Sequence, residues 1–95
     1  MDFEWDDIKA NSNYKKHGVR FSEAVTVWND ENSLEMPDSL NPSSDEERFL
    51  RLGYSIKTKM LVVVYCEKRD GKTIRIISAR EATKKEQSEY HSRSL

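Results

Sequence analysis

The feature that most constrains the fold is an unbroken apolar run from Met60 to Cys66, rich in β-branched residues. Such a run is typical of a central strand that is covered on both faces of its sheet. It is far shorter than the roughly 20 apolar residues that a membrane-spanning helix needs. We therefore expect a buried strand here and no membrane span.

Segments on both sides of this run alternate in polarity and predict further strands. Residues 48–56 place mostly apolar side chains at every second position, and residues 57–59 form the turn to the central strand. AspGly at 70–71 is a strong hairpin signal, and residues 73–78 beyond it have β-rich composition. The three strands are predicted to form an antiparallel meander.

Shorter segments carry weaker signals. Residues 2–5 are predicted to form a short strand or an extended arm, with Phe3 and Trp5 on one side. Residues 29–46 are polar and contain both prolines of the chain. This composition predicts a loop that contains one short strand near residues 33–36.

Two helices are predicted in the amino-terminal part of the chain. Asp6 or Asp7 can cap the first, and Gly18 can end it because glycine readily adopts a positive φ angle. Ser22 is a good cap for the second, whose apolar residues follow a helical spacing. This apolar stripe consists of Phe21, Ala24, Val25 and Trp28. We expect the stripe to pack against the sheet.

A third helix is predicted at the carboxyl-terminal end. Thr83 and Glu86 have the spacing of a capping box, which opens a charged helix that ends near residues 90–92. The apolar anchors of this helix are Ala82 and Tyr90. We therefore expect it to pack weakly and to be displaceable.

Composition indicates one small domain. The chain has 95 residues, of which 36% are hydrophobic, enough for a single modest core over residues 1–95. The amino terminus is acidic, unlike a secretory signal, so we expect a cytoplasmic protein. Cys66 is the one cysteine, which excludes an internal disulfide, and we expect it to act as a small hydrophobe.

Opposite charges nearly balance, with 16 Lys and Arg against 17 Asp and Glu, but their distribution is uneven. Acidic residues concentrate near the amino terminus and between residues 30 and 47, whereas basic residues recur from residue 68 onward. This pattern predicts a basic surface on the carboxyl-terminal half that can bind a phosphate backbone. The alternative is an ordinary solvated face.

Several common catalytic motifs are missing from the sequence. It has no glycine-rich phosphate loop, no CxxC, no HExxH and no nucleophile elbow. Nucleotide triphosphate hydrolysis, structural zinc and serine hydrolysis are therefore not predicted. The basic and titratable groups near the ends of predicted elements are Lys16, His17, Arg48, Arg75, Arg80 and Tyr90.

Groups of these types are what metal-free RNA cleavage requires. The ribose 2′-oxygen attacks the adjacent phosphorus, so one group must accept its proton and another must protonate the leaving 5′-oxygen. Cations must also stabilise the extra negative charge on the phosphate. Histidine suits proton transfer near neutral pH, and arginine binds phosphate through two parallel hydrogen bonds.

Each of these candidates also has a purely structural explanation. His17 can simply help to end the first helix. Arg48 shares its strand face with core leucines, so an inward ion pair is equally consistent with its position. Packing or surface roles are also open for Arg75, Arg80, Lys84, Lys85 and Tyr90.

A set of short motifs spans nearly the whole chain. The motifs are TrpAsp at 5–6, Asn13, LysHisGlyVal at 16–19, PheSerGluAla at 21–24, GluArg at 47–48, Gly53, ArgIleIleSerAlaArg at 75–80, Ala82, Glu86 and Tyr90. Together, and in this order, they resemble the BrnT toxins. The resemblance implies a RelE-like α+β fold, with an antiparallel sheet of about four strands, two amino-terminal helices and one carboxyl-terminal helix.

The resemblance also implies an activity and partners. Members of that family are ribonuclease toxins of type II toxin–antitoxin systems, which stop translation and are neutralised by a small antitoxin, BrnA. A heterotetramer of two toxins around an antitoxin dimer, which binds operator DNA through the antitoxin, is implied as well. We expect no metal and no other cofactor.

Carried onto this sequence, the resemblance points to particular residues. The catalytic candidates are Lys16, His17, Arg48, Arg75 and Arg80, and the RNA-binding candidates are Tyr90 together with two neighbouring lysines, Lys84 and Lys85. We expect RNA to lie across the exposed sheet face, beside the last helix. Glu81 departs from the family pattern, which usually has a basic residue there. Its carboxylate is expected to pair with Arg80 and to repel RNA phosphate.

Two alternatives to an active ribonuclease remain open. One is a non-enzymatic cytosolic binding module whose charged face docks another protein or DNA. The other is a degenerate toxin that acts only in the operator-binding complex, an interpretation that Glu81 favours.

Overall fold

The apolar run at Met60–Cys66 forms the middle strand of a five-stranded sheet in the computed structural model, which describes residues 1–38, 47–69 and 71–93. The described elements are β1 (Asp2–Glu4), α1 (Asp7–His17), α2 (Phe21–Ala24), a 3₁₀ helix that continues it (Val25–Asn29), β2 (Leu34–Pro37), β3 (Arg48–Tyr54), β4 (Met60–Lys68), β5 (Thr73–Glu81) and α3 (Lys84–Arg93). The strand order is β1-β5-β4-β3-β2.

The predicted α+β class is confirmed, as is the antiparallel meander of β3, β4 and β5. The sheet has five strands rather than about four, and it is mixed because β1 pairs with β5 in parallel. Three residues of β1 are too few to give a clear alternating pattern, so the sequence left this segment as a strand or an arm. Asp70 of the hairpin signal and most of the predicted loop, including Pro42, lie outside the described residues.

The central strand β4 is covered on both faces, as expected. Leu61, Val63 and Tyr65 are fully buried and point toward the amino-terminal helices. We call this side of the sheet the helix face. Met60 and Val62 point to the opposite side and pack with α3. We call that side the arginine face, because it carries Arg48, Arg75 and Arg80. These arginines pair with Cys66 and Val62 of β4, which alternate along the strand with the core residues of the helix face.

The second helix differs from its prediction. It begins at Phe21, after an uncapped Arg20, so Ser22 lies inside the helix and the prediction that it is the cap is wrong. After one turn the chain tightens into a 3₁₀ helix, which has about three residues per turn instead of about 3.6. The fully buried positions are therefore three apart, at Phe21, Ala24 and Val27.

The side chain of Asn13 forms hydrogen bonds that hold α1 against the edge of β5. Its side-chain amide donates to the carbonyl of Ala79 at 2.9 Å and to that of Val19 at 3.0 Å, and its oxygen accepts from the amide of Ala79 at 3.1 Å. Because β1 pairs with only the first residues of β5, these bonds satisfy backbone groups that the short strand leaves unpaired. The predicted ends of α1 are confirmed, with Asp6 as the cap and Gly18 at a φ of 71°.

The predicted capping box of α3 is also confirmed. The amide of Thr83 donates to Glu86 at 2.8 Å, and the amide of Glu86 donates to the hydroxyl of Thr83 at 3.2 Å. Ala82 and Tyr90 are both buried in the core that α3 shares with β3 and β4. In addition, the Tyr90 hydroxyl donates to the carboxylate of Asp30 at 2.7 Å, a polar anchor that the sequence pattern did not indicate.

Candidate functional site

A β-bulge brings Arg75 and Arg80 to the same face of the sheet. Residues five apart on a regular strand point to opposite sides, because side chains alternate along it. In this protein, two successive residues of β4 pair with Ser78 and Ile76, which leaves Ile77 as an extra residue in β5. Because of this extra residue, the side chains of Arg75 and Arg80 point to the same face of the sheet.

Arg48 and Arg75 lie in one row across the arginine face. Arg48 on β3 and Arg75 on β5 both pair with Cys66 of the central strand. Neighbouring strands are about 4.8 Å apart, so the α-carbons of the two arginines are separated by about 10 Å. Both side chains are partly exposed. Two guanidinium groups that start this far apart can reach one phosphodiester from both sides.

The two arginines differ in their ionic partners. Arg75 donates to the carboxylate of Glu4 at 2.8 Å, and Lys68 lies 4.0 Å from the same oxygen. Arg48, by contrast, forms no ion pair with any residue in the described part of the chain. The positive charge of Arg48 is therefore not neutralised by a described carboxylate.

Arg80 lies further along the arginine face, in contact with α3. Its two terminal nitrogens donate to the two carboxylate oxygens of Glu86 at 2.8 and 2.9 Å. These hydrogen bonds raise the pKa of Arg80 and lower the pKa of Glu86 to about 2. As it stands, the guanidinium of Arg80 is occupied by a carboxylate of the protein itself.

Glu81 does not pair with Arg80 through its carboxylate, contrary to the prediction. Neighbouring residues on a strand point to opposite faces, so the exposed Glu81 side chain leaves the sheet on the other side. Only the backbone carbonyl of Glu81 accepts a hydrogen bond from Arg80, at 3.2 Å. The acid that neutralises Arg80 is Glu86, from the first turn of α3.

Lys16 and His17 lie away from the arginine row. Both are exposed in the last turn of α1, which runs along the edge of β5 and packs on the helix face through Ala10. Asn13, one turn earlier, is at the level of Ala79. The structure therefore places these two candidates at the β5 edge and does not bring them into the row of Arg48 and Arg75.

The three RNA-binding candidates on α3 separate into two environments. Lys84 and Lys85 are exposed at the start of the helix. Tyr90 is only 4% exposed, and burial together with the hydrogen bond to Asp30 raises its pKa to about 12. In this arrangement the Tyr90 ring is packed in the core beneath α3 and is not exposed to a base.

Asp30 connects the 3₁₀ helix, β3 and α3. Burial alone would raise its pKa, but hydrogen bonds from the Tyr54 amide, the Tyr90 hydroxyl and the Asn32 amide outweigh this effect, and the pKa lies below its usual value. Gly53 permits the close approach, because a Cβ there would lie 3.0 Å from the Asp30 carboxylate and 2.8 Å from Cβ of Ser33. This glycine is one of the family motifs.

His91 is a titratable residue that the sequence analysis did not single out. It is exposed on α3, and its Nε2 lies 3.3 Å from the Tyr54 hydroxyl. Tyr54 also lines a cavity of about 290 Å³ together with Asp30 and Ile56. The sequence marks His91 only by its position directly after Tyr90, one of the family motif residues.

Two further features are absent from the described residues. Among them, no three His, Cys, Asp or Glu side chains are arranged as a group that could hold a metal ion. None of the described helices has the length and apolar character needed to cross a membrane.

Comparison with known proteins identifies the family. A family model described as the ribonuclease toxin BrnT of a type II toxin–antitoxin system matches residues 5–86. The chain belongs to the BrnT family. The crystal structure of the Brucella abortus ribonuclease toxin BrnT superimposes with a TM-score of 0.66 at 20% sequence identity, covering 88% of this chain and 99% of that chain. No curated protein matches the sequence.

These findings confirm the resemblance and the fold that it implied. The match of the family model includes the arginine face and the capping box of α3. At 20% identity the Brucella structure supports the fold alone. The roles of the individual residues in this BrnT protein stay predictions.

Proposed function

We propose that this BrnT protein is a metal-independent endoribonuclease that cleaves RNA on its arginine face and thereby stops translation in the cytoplasm. Arg48 carries the proposal. It is partly exposed, lies in one row with Arg75, and lacks a counter-ion among the described residues. A guanidinium that no described carboxylate neutralises, in one row with a second guanidinium, is suited to bind a phosphodiester.

In this mechanism the arginines bind the phosphate and stabilise the charge that develops during cleavage. Glu4 orients Arg75, since it accepts one of its hydrogen bonds at 2.8 Å. Arg48 donates hydrogen bonds to the phosphate oxygens that become more negative as the 2′-oxygen attacks. Arg80 can join only after it exchanges the Glu86 carboxylate for a phosphate oxygen.

Proton transfer has two candidate imidazoles. His17, with Lys16 beside it, is the predicted acid or base but lies at the β5 edge. His91 lies on α3 and contacts Tyr54 of β3. Replacing each by Gln and measuring the pH dependence of cleavage separates them, because loss of a general acid or base lowers the rate by about 10²- to 10⁴-fold. If neither substitution has this effect, another group transfers the proton.

The central experiment measures RNA cleavage by the purified protein in EDTA. We expect cleavage to persist in the wild type and to fall by roughly 10²- to 10³-fold in Arg48→Ala, the loss typical of one donor to a developing charge. Arg93→Ala is the matched control, because it removes an exposed arginine of α3 whose partner is Glu89.

Two results would contradict this proposal. An absolute requirement for a divalent metal ion would rule out the metal-free mechanism. Cleavage by Arg48→Ala at the wild-type rate would rule out the arginine face as the site, provided that the variant has the same circular dichroism spectrum as the wild type.

We further propose a BrnA-type antitoxin as the partner, in a heterotetramer of two toxins around an antitoxin dimer that contacts operator DNA. Membership in a type II toxin family supports an antitoxin partner. Induction of the chain alone should arrest growth, and co-expression of the small protein encoded beside it should restore growth. If neither induction of the chain nor co-expression of the small protein changes growth, a different function would be favoured.

The rival proposal of a non-enzymatic module gains support from two contacts. Arg75 and Arg80 are both paired with carboxylates of the chain itself. A structural role for these two residues predicts that Arg75→Ala and Arg80→Ala lower stability without a specific loss of cleavage per folded molecule. The degenerate-toxin alternative loses its main argument, because the Glu81 carboxylate leaves the sheet on the side opposite to Arg80.

A further inference from the structure

A second cavity, of about 140 Å³, lies between α1 and the start of α2. Its lining residues include Trp5, Asn11, Tyr14, Arg20, Phe21 and Ser22. Sites for whole small molecules usually have volumes of about 300–1,000 Å³. The cavity is therefore suited to a single planar ring and not to a complete metabolite.

Aromatic rings form part of the walls of this cavity. The rings of Trp5 and Phe21 pack edge to face, with centroids 6.1 Å apart. The guanidinium of Arg20 lies 4.1 Å from the centre of the Tyr14 ring, which is 43% exposed. Aromatic rings and guanidinium planes are the surfaces on which proteins stack unpaired bases of RNA.

The cavity also presents unused polar groups. The side chains of Asn11 and Ser22 form no hydrogen bond with another side chain or backbone group in the part of the chain that the structure describes. An amide and a hydroxyl can both donate to and accept from the edge of a base. A ring that stacks in this cavity would find hydrogen-bond partners at its rim.

The position of the cavity links it to the arginine face. Trp5 directly follows Glu4, whose carboxylate holds Arg75 at 2.8 Å. The chain therefore passes from the arginine row to the cavity around one edge of the sheet, at β1. An RNA strand bound at Arg75 can reach the cavity by crossing this edge.

We propose that this cavity binds one unpaired base of the RNA that is held at Arg75. The proposal rests on the proposed function in that it takes RNA as the ligand. Charges around the cavity are mixed, since Asp7 and Lys15 lie one helical turn to either side of Asn11. Stacking, more than phosphate binding, supplies the affinity of this subsite.

Trp5 provides a direct probe of the subsite. A short single-stranded 2′-O-methyl RNA is a suitable ligand, because its attacking oxygen is blocked and it cannot be cleaved. Binding of this RNA should quench the fluorescence of Trp5. An oligonucleotide of the same length without bases should leave the fluorescence of Trp5 unchanged. Trp28→Phe should retain the quenching and Trp5→Phe should lose it, since Trp28 packs in the core with Phe3 and Tyr65.

Tyr14→Ala tests the stacking surface, with Lys15→Ala as its matched control on the exposed side of α1. We expect Tyr14→Ala to weaken binding of the oligonucleotide by roughly 5- to 150-fold, the range for loss of one base–aromatic stack. Lys15→Ala should change it by no more than about 3-fold at moderate salt.

Three outcomes would overturn the subsite. They are equal quenching by the oligonucleotide without bases, quenching that persists in Trp5→Phe, and quenching of Trp5 by the purified antitoxin but not by RNA, which would assign the cavity to a protein side chain. Failure of the ribonuclease proposal is a separate result, because Arg48→Ala tests cleavage while Trp5 reports binding of a base. Base-dependent quenching without cleavage would support the subsite and contradict the proposed activity.

Discussion

The two faces of the sheet differ in how completely they are covered. On the helix face, residues such as Leu61 and Val63 have no exposed surface, and the aromatic rings of Trp28 and Tyr65 pack edge to face at 4.8 Å. On the arginine face, α3 buries Met60 and Val62. Arg48, Arg75 and Val64 on the same face stay partly exposed.

The helix face therefore contributes mainly to stability, whereas the arginine face carries the candidate site. Burial of apolar side chains is the main favourable term in folding, and the helix face carries most of it. The arginine face retains partly exposed cations, which cost stability when they are buried without a partner. A chain with only one of these faces would either fold without a site or have a site without sufficient core.

The largest expected effect tests the difference between the faces on a single strand. Val63 and Val64 are neighbours on β4, the first fully buried on the helix face and the second partly exposed on the arginine face. Val63→Ala should lower the free energy of unfolding by about 2 to 3 kcal/mol, and Val64→Ala by about 1 kcal/mol. Urea denaturation measures both values. Equal losses would show that the two faces contribute alike.

The next effect concerns how α3 is held on the arginine face. Tyr90→Phe removes a hydrogen bond to the Asp30 carboxylate and should cost about 1.5 to 2 kcal/mol in urea denaturation. Tyr54→Phe is the control, since its hydroxyl makes only a 3.3 Å contact with an exposed imidazole and should cost less than about 0.5 kcal/mol.

The pH dependence of the Tyr90 effect has a defined sign. The pKa of Tyr90 is raised to about 12 in the folded protein from an ordinary value of 10.0. The stabilisation is therefore fully present below pH 10 and is lost as the pH rises toward 12. The difference between wild type and Tyr90→Phe should shrink over this window. A constant difference would mean that the hydroxyl is not coupled to Asp30.

The smallest effect concerns the ion pair between Arg80 and Glu86. The Glu86 side chain is 27% exposed, so solvent screens the pair, and Glu86→Gln should cost about 1 kcal/mol or less near neutral pH. Glutamine can still accept the hydrogen bond from Thr83, so the capping box is kept. Glu89→Gln, which breaks the more exposed pair with Arg93, is the control and should cost less.

Acid should remove the contribution of Glu86. Its pKa is lowered to about 2 from 4.5, so the stabilisation is present above pH 4.5 and is lost as the pH falls toward 2. The difference in stability between the wild type and Glu86→Gln should therefore shrink as the pH falls from 4.5 and disappear below about pH 2. If the difference between them remained at low pH, the effect would come from packing and not from charge.

Much of the local structure could be predicted, because it depends on neighbours in sequence. The buried strand β4, the capping box of Thr83 and Glu86 and the glycine that ends α1 all follow from short patterns. The cap of α2 was predicted wrongly, because the helix begins at Phe21 after Arg20, which makes no side-chain cap hydrogen bond and so carries no capping signal. His91 was missed because its contact with Tyr54 joins residues far apart in sequence.

The sequence by itself determined the family, the α+β class and the supply of cations in the carboxyl-terminal half. Only the tertiary structure decided which of those cations share a face. Arg75 and Arg80 have opposite parity on β5, and an extra residue at Ile77 brings them to one side. The same structure pairs Arg75 with Glu4, pairs Arg80 with Glu86, and leaves Arg48 without a described counter-ion. The physical reason is that strand pairing and ion pairing join residues across the whole chain, whereas sequence patterns report only on near neighbours.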